Sequence, residues 1–64
     1  MKEMEINYWI NKRVKMITDD FGLSQIKTEC WEYCMKEYSG VLNLNAMIYR
    51  SMEIYAEIIK RSGI

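Results

Sequence analysis

Residues 44–61 read LNAMIYRSMEIYAEIIKR, and this stretch decides the fold of the chain. Its charged residues recur mostly every three or four positions, which places them on one narrow stripe of an α-helix. The rest of the helix is apolar around a wide arc, formed by Leu44, Met47, Ile48, Met52, Tyr55, Ile58 and Ile59. The pattern predicts a helix over 44–61, with Asn43 or Asn45 as its N-cap.

A second helical pattern lies at the N-terminal end of the chain. Its apolar residues are spaced by four, four, three and four positions: Ile6, Ile10, Val14, Ile17 and Phe21. This spacing predicts a helix over residues 4–20. Gly22 follows, and glycine is common just past the last turn of a helix, so we expect Gly22 to end it.

The segment between these two helices predicts a third. Ser24 is a suitable N-cap for a helix over residues 25–38, and Gly40 follows its end as Gly22 follows the first. Its apolar arc is again wide and contains Ile26, Cys30, Trp31, Tyr33, Cys34, Met35 and Tyr38. We therefore expect residues 1–64 to form a single all-α domain, a small three-helix bundle.

The apolar content exceeds what so small a bundle can hide. The chain has 64 residues, of which 50% are hydrophobic, with eight aromatic residues and six methionines. A domain of this size buries only about 60% of its unfolded surface. We therefore expect association to complete the domain, with a homodimer as the commonest symmetric form. The candidate interface residues are those aromatic and methionine side chains that proteins favour at interfaces, namely Trp31, Tyr38, Tyr49, Met52 and Tyr55.

Composition argues against catalysis and cofactor binding. The chain has no His, which is the commonest general base and metal ligand. Cys30 and Cys34 lie on one helical face, and could form half of a four-thiolate zinc site shared with a second chain or act as a redox pair. Burial as small apolar side chains is the favoured interpretation. We expect no catalytic residue, metal, cofactor or small-molecule substrate.

One basic cluster lies in the first predicted helix. It consists of Lys12, Arg13 and Lys15 beside Asn11, an arrangement that could contact phosphates and a base edge. The whole chain has nine basic and nine acidic residues, so its net charge is zero and general attraction to nucleic acid is weak. A solvated helix face is the favoured interpretation, and nucleic-acid contact is the alternative.

Residues 45–55 resemble the second helix of ribbon-helix-helix repressors, which are small dimers that read the DNA major groove with paired strands. The resemblance covers about eleven residues and consists mainly of hydrophobic spacing. It implies a short strand before the first helix, for which residues 13–18 are the candidate, with Arg13 and Lys15 facing DNA. The alternative fold is therefore a ribbon-helix-helix dimer acting as a transcriptional repressor.

The favoured function is a non-catalytic protein-interaction module, a regulator or inhibitor that docks an apolar aromatic and methionine-rich face on a protein partner. Small proteins of this kind are sometimes encoded by phages or mobile elements. No signal peptide or membrane span is expected, since the N-terminus lacks an apolar core and the longest uncharged run is too short. The two thiols fit a reducing compartment, so a cytoplasmic location is expected.

Overall fold

A computed structural model of the chain describes residues 3–17 and 20–63. These residues form three α-helices: α1 over Glu3–Val14, α2 over Asp20–Tyr38 and α3 over Leu44–Ser62. Within them there is no β-strand, only an isolated bridge between Ser39 and Leu42 in the α2–α3 turn. The predicted all-α class with three helices is therefore confirmed.

The predicted start and end of α3 agree with the structure because both are set by local hydrogen bonds. Asn43 is the N-cap, and its side-chain oxygen accepts a hydrogen bond of 2.8 Å from the Ala46 amide. The competing candidate, Asn45, lies inside the helix. At the other end Gly63 adopts a left-handed conformation with φ of 79° and donates its amide to Lys60. Gly40 also has positive φ, at 83°, and reverses the chain between α2 and α3.

The predicted boundary between the first two helices is wrong. α1 ends at Val14 rather than near residue 20, and Gly22 lies in the first turn of α2, without positive φ. The predicted N-cap, Ser24, is also helical, and its carbonyl oxygen accepts from the Thr28 hydroxyl. The apolar periodicity extended past the real end of α1 because Ile17 packs against the core from the turn. The side chain of Phe21 lies outside the described part of the chain.

The ribbon proposed for residues 13–18 is likewise not found in the described residues. Arg13 and Val14 form the end of α1, and a turn follows in which the Met16 amide donates to the Arg13 carbonyl at 2.9 Å. The Ile17 amide donates to Val14 at 3.4 Å. Backbone hydrogen bonds within one turn leave these residues unavailable for a ladder with a second chain. Thr18 itself lies outside the described residues.

All three helices contribute to one core. Its buried residues are Ile6 and Ile10 from α1, Ile26, Cys30 and Cys34 from α2, and Ile54 and Ile58 from α3. The face predicted for the first helix is thus confirmed at Ile6 and Ile10. α3 packs extensively against both other helices, so it is the central element of the domain.

Arg61 joins the C-terminal end of α3 to α1. Its guanidinium donates to Asn7 at 2.8 Å, to Asn11 at 3.1 Å and to Glu57 at 2.8 Å. The hydrogen bond from Arg61 lowers the pKa of the Glu57 carboxyl. A planar guanidinium with several fixed donors can hold three partners at once, whereas an ammonium cannot match this geometry.

Candidate functional site

A groove of about 640 Å³ lies between α2 and α3. α2 contributes Lys27 and Trp31 to its walls. The rest of the lining comes from α3 and consists of Leu44, Ile48, Ser51, Met52, Tyr55 and Ala56. We call these eight residues the α2–α3 groove.

The groove exists because α3 is apolar on more of its surface than the core covers. Ile54 and Ile58 point into the core and are 1% and 0% exposed. Leu44, Ile48 and Met52 follow one another at intervals of four residues on the neighbouring face, and they are 60%, 42% and 60% exposed. Exposed side chains of this size in a continuous row are typical of a binding surface rather than of scattered surface residues.

The groove is almost entirely apolar in its chemistry. Among the described residues that line it, Lys27 is the one charged group. The Ser51 hydroxyl is already used within α3, where it donates to the Ile48 carbonyl at 2.8 Å. A surface without convergent polar groups offers little to position a polar substrate, but it suits the apolar side chains of another protein.

Three of the five predicted interface residues line the groove: Trp31, Met52 and Tyr55. Tyr49 is 72% exposed and lies on the outer surface of α3. Tyr38 instead packs against the core, and its hydroxyl oxygen accepts a 3.3 Å hydrogen bond from Arg50.

Sequence reasoning did not single out Leu44 and Ile48 as site residues, although their spacing with Met52 marks one helical face. Lys27 was also missed, and no pattern in the sequence distinguishes it from other surface lysines. Its place in the groove depends on how α2 packs against α3.

Two members of the predicted nucleic-acid site, Arg13 and Asn11, make contacts within the domain. Arg13 stacks over the Trp9 ring at 4.3 Å and donates to Glu29 at 3.0 Å, so its charge serves the α1–α2 contact. Asn11 accepts a hydrogen bond from Arg61. Lys12 and Lys15 are exposed. Nucleic-acid contact by these four residues therefore stays a prediction, with Lys12 and Lys15 as its exposed cations.

The Arg13 contact belongs to an aromatic cluster on the α1–α2 side of the domain. The Trp9 and Tyr33 rings lie 4.5 Å apart between centroids, with an angle of 38° between their planes. Burial, with a smaller contribution from Glu37, raises the pKa of Tyr33 to about 12. These contacts join α1 to α2, and Trp9, Arg13 and Tyr33 also line a second concave surface of about 420 Å³.

Cys30 and Cys34 are core residues in the structure, with exposures of 1% and 0%. Burial, reinforced by the neighbouring Cys34, raises the pKa of the Cys30 thiol to about 12, and burial also raises the pKa of Cys34. Reactive and metal-binding cysteines need accessible thiolates. Among the described residues, no group of three or more His, Cys, Asp or Glu side chains is placed to hold a metal ion.

Comparison of the chain with known protein families, curated proteins and solved structures gives no significant match. Within the described ranges, none of the helices is both long and apolar enough to cross a lipid bilayer.

Proposed function

We propose that this chain is a non-catalytic protein-interaction module, a small regulator or inhibitor that docks its α2–α3 groove on a protein partner. The observation that carries the proposal is the exposed row of Leu44, Ile48 and Met52 beside Trp31. Trp, Tyr and Met are enriched at protein interfaces, and unbranched Met side chains adapt to irregular partner surfaces. Helices with apolar anchors at such spacing are a recurring recognition mode.

Homodimerisation is part of this proposal. A second copy is a partner that is present wherever the chain is made. In the part of the chain that the structure describes, the core has seven buried residues, so covering the groove would stabilise the domain. We propose a cytoplasmic location as well, in which the two thiols stay reduced.

Capture of partners from the host lysate with matched variants tests the proposal. Met52→Glu places a charge in the groove, and Tyr8→Glu places the same charge on α1, where Tyr8 is 71% exposed. Both substitutions alter exposed side chains, so both variants should retain the helical circular dichroism of the parent chain.

We expect nuclease-treated lysate to yield one protein in fixed proportion with the parent chain and with Tyr8→Glu, and at least tenfold less with Met52→Glu. Equal capture by both variants would show that the groove is not the docking site. Captured DNA that disappears after nuclease treatment would instead favour the repressor interpretation.

A further inference from the structure

We infer that the α2–α3 groove binds a long-chain carboxylate, a free fatty acid, with its head group at Lys27 and its alkyl chain along α3 toward Leu44. The inference goes beyond the proposed function and does not depend on it. The ligand is bound and not converted. Because it fills the docking surface, it competes with a protein partner for the groove.

The charges of α2 and α3 are divided between the groove and the surfaces beside α1. The groove is lined by one charged residue, Lys27. All five glutamates of the two helices instead line concave surfaces that α1 shares with α2 or α3: Glu29, Glu32 and Glu37, and Glu53 and Glu57. The groove therefore attracts an anion, and none of these glutamates lines it to repel one.

The ammonium of Lys27 is available to a ligand. Lys27 is exposed, and the ion pairs found among the described residues are formed by Arg13 and Arg61. One cation matches the single negative charge of a carboxylate, whereas a phosphate group carries about −1.5 to −2 at neutral pH. Charge complementarity therefore favours a carboxylate as the head group.

The charge lies at one end of the groove. The turn between α2 and α3 is short, so the two helices run antiparallel. Lys27 precedes the end of α2 by 11 residues, and Tyr55 follows the start of α3 by 11, so these two residues are level and Leu44 lies at the opposite end. Residues 38–49, which form that opposite end, include no charged residue. The groove thus has the polarity of a ligand with one anionic end and one apolar end.

The lining between the two ends suits an alkyl chain. It is apolar apart from Ser51, whose hydroxyl donates within α3. An alkyl chain has no polar group along its length that needs a partner. An extended peptide in the same place would leave amide and carbonyl groups without hydrogen bonds, which is costly.

The size of the groove fits one such chain. The 11 residues from Leu44 to Tyr55 span about 17 Å of helix. An extended chain advances about 3.5 Å for every three bonds, so roughly 14 carbon atoms reach from one end to the other. The volume of about 640 Å³ lies within the range of small-molecule sites.

Isothermal titration calorimetry with sodium dodecanoate, below its critical micelle concentration and at pH 8, tests the inference. We expect the parent chain to bind one dodecanoate. Lys27→Glu should bind it at least tenfold more weakly, because two negative charges then meet, and should bind dodecylammonium more tightly than the parent chain does.

Lys36→Glu is the matched control, since it makes the same charge reversal on α2 at a lysine that lines the surface shared with α1. It should bind dodecanoate at least five times more tightly than Lys27→Glu. Equal affinities of the two variants, or no binding by the parent chain, would overturn the inference. A parent chain that binds no dodecanoate while Met52→Glu loses the captured protein would overturn this inference and leave the proposed function standing.

Chain length tests the placement of the alkyl chain along α3. From octanoate to tetradecanoate, each added methylene should tighten binding by up to about fourfold. Affinity should level off beyond roughly 14 carbons, where the groove ends. An equally steep gain from 14 to 18 carbons would refute this placement.

The two tryptophans report where the ligand binds, because Trp31 lines the groove and Trp9 lies on the α1–α2 side. In Trp9→Phe, dodecanoate should shift the fluorescence of Trp31 to shorter wavelength. In Trp31→Phe, the fluorescence of Trp9 should stay unchanged. A shift in Trp31→Phe alone would place the ligand outside the groove and refute the inference.

Discussion

Two isoleucines of α3 provide a matched test of which face of that helix forms the core. Ile58 is fully buried, whereas Ile48 is 42% exposed in the α2–α3 groove. Replacing a buried Ile by Ala removes its transfer free energy and leaves a cavity, at a cost of about 2–5 kcal/mol. Ile48→Ala removes the same atoms, but about half of the side chain is in water already and no closed cavity forms. We expect it to cost about 1 kcal/mol.

The difference is large for so small a domain. Stabilities of 0.05–0.15 kcal/mol per residue imply about 3–10 kcal/mol for the whole chain. A loss of about 3 kcal/mol at Ile58 should therefore lower Tm by about 12–24 °C, against about 4–8 °C for Ile48. The assay is thermal and urea unfolding, followed by circular dichroism at several protein concentrations.

Concentration separates folding from association in these data. The penalty of Ile58→Ala should be the same at all concentrations, because it acts within one chain. In the proposed homodimer the groove is covered, so the penalty of Ile48→Ala should grow as concentration rises. Equal penalties for the two variants in dilute solution would refute the assignment of Ile58 to the core and of Ile48 to the groove.

Three further predictions follow from the helix ends, the thiols and the Arg61 contacts. Gly22→Ala should raise the free energy of unfolding by about 0.5–1 kcal/mol, because alanine is the better helical residue. Gly40→Ala should lower the free energy of unfolding by about 1–2 kcal/mol, because φ at Gly40 is positive. Urea titration of both variants distinguishes the two signs. Above pH 9 the unfolded chain loses the Cys30 proton that the folded chain keeps up to about pH 12. Stability should therefore fall through this range by up to about 1.4 kcal/mol per pH unit, and less steeply in Cys30→Ala. Arg61→Lys should lower stability by about 0.5–1.5 kcal/mol, since it keeps the charge and loses two or more of the three hydrogen bonds; an unchanged urea midpoint would show that these surface bonds contribute nothing.

The parts of the fold that the sequence predicted well are those with local causes. Asn43 caps α3 through a hydrogen bond to a residue three positions away, and Gly63 ends it through a left-handed backbone. Neither depends on tertiary packing. The burial of Ile6 and Ile10 was also predictable. A spacing of four residues puts both on one face of the helix, and that face packs against the core.

The α1–α2 boundary could not be predicted from periodicity because the turn also packs against the core. Ile17 extends the spacing of Ile10 and Val14 although it lies beyond the helix. Two signals for the true boundary were present, in the basic residues Lys12 and Arg13 near the end of α1 and in Asp20 at the start of α2. Gly22 was given more weight than these signals, because glycine is common just past the last turn of a helix.

The sequence predicted that apolar surface would be exposed, but not which residues of α3 would form it. Composition indicated surplus apolar surface, yet Ile54, which the predicted apolar arc did not include, is 1% exposed. Leu44 and Met52 were expected within the arc and are each 60% exposed. When the apolar arc of a helix is wide, its local sequence does not show which part of the arc packs against neighbouring helices. That choice depends on where α1 and α2 pack, which is a property of the whole chain.

The geometry of α3 gives the reason why the domain has surplus surface at all. At 100° per residue, its apolar arc from Ile54 through Leu44 to Ala56 spans about 200°, twice the stripe that a surface helix needs. Within one chain α3 has two helical neighbours, and these cover the half of the arc around Ile54 and Ile58. A third neighbour is needed to cover the other half. In the proposed homodimer, a second copy of the chain supplies that neighbour without any addition to the sequence.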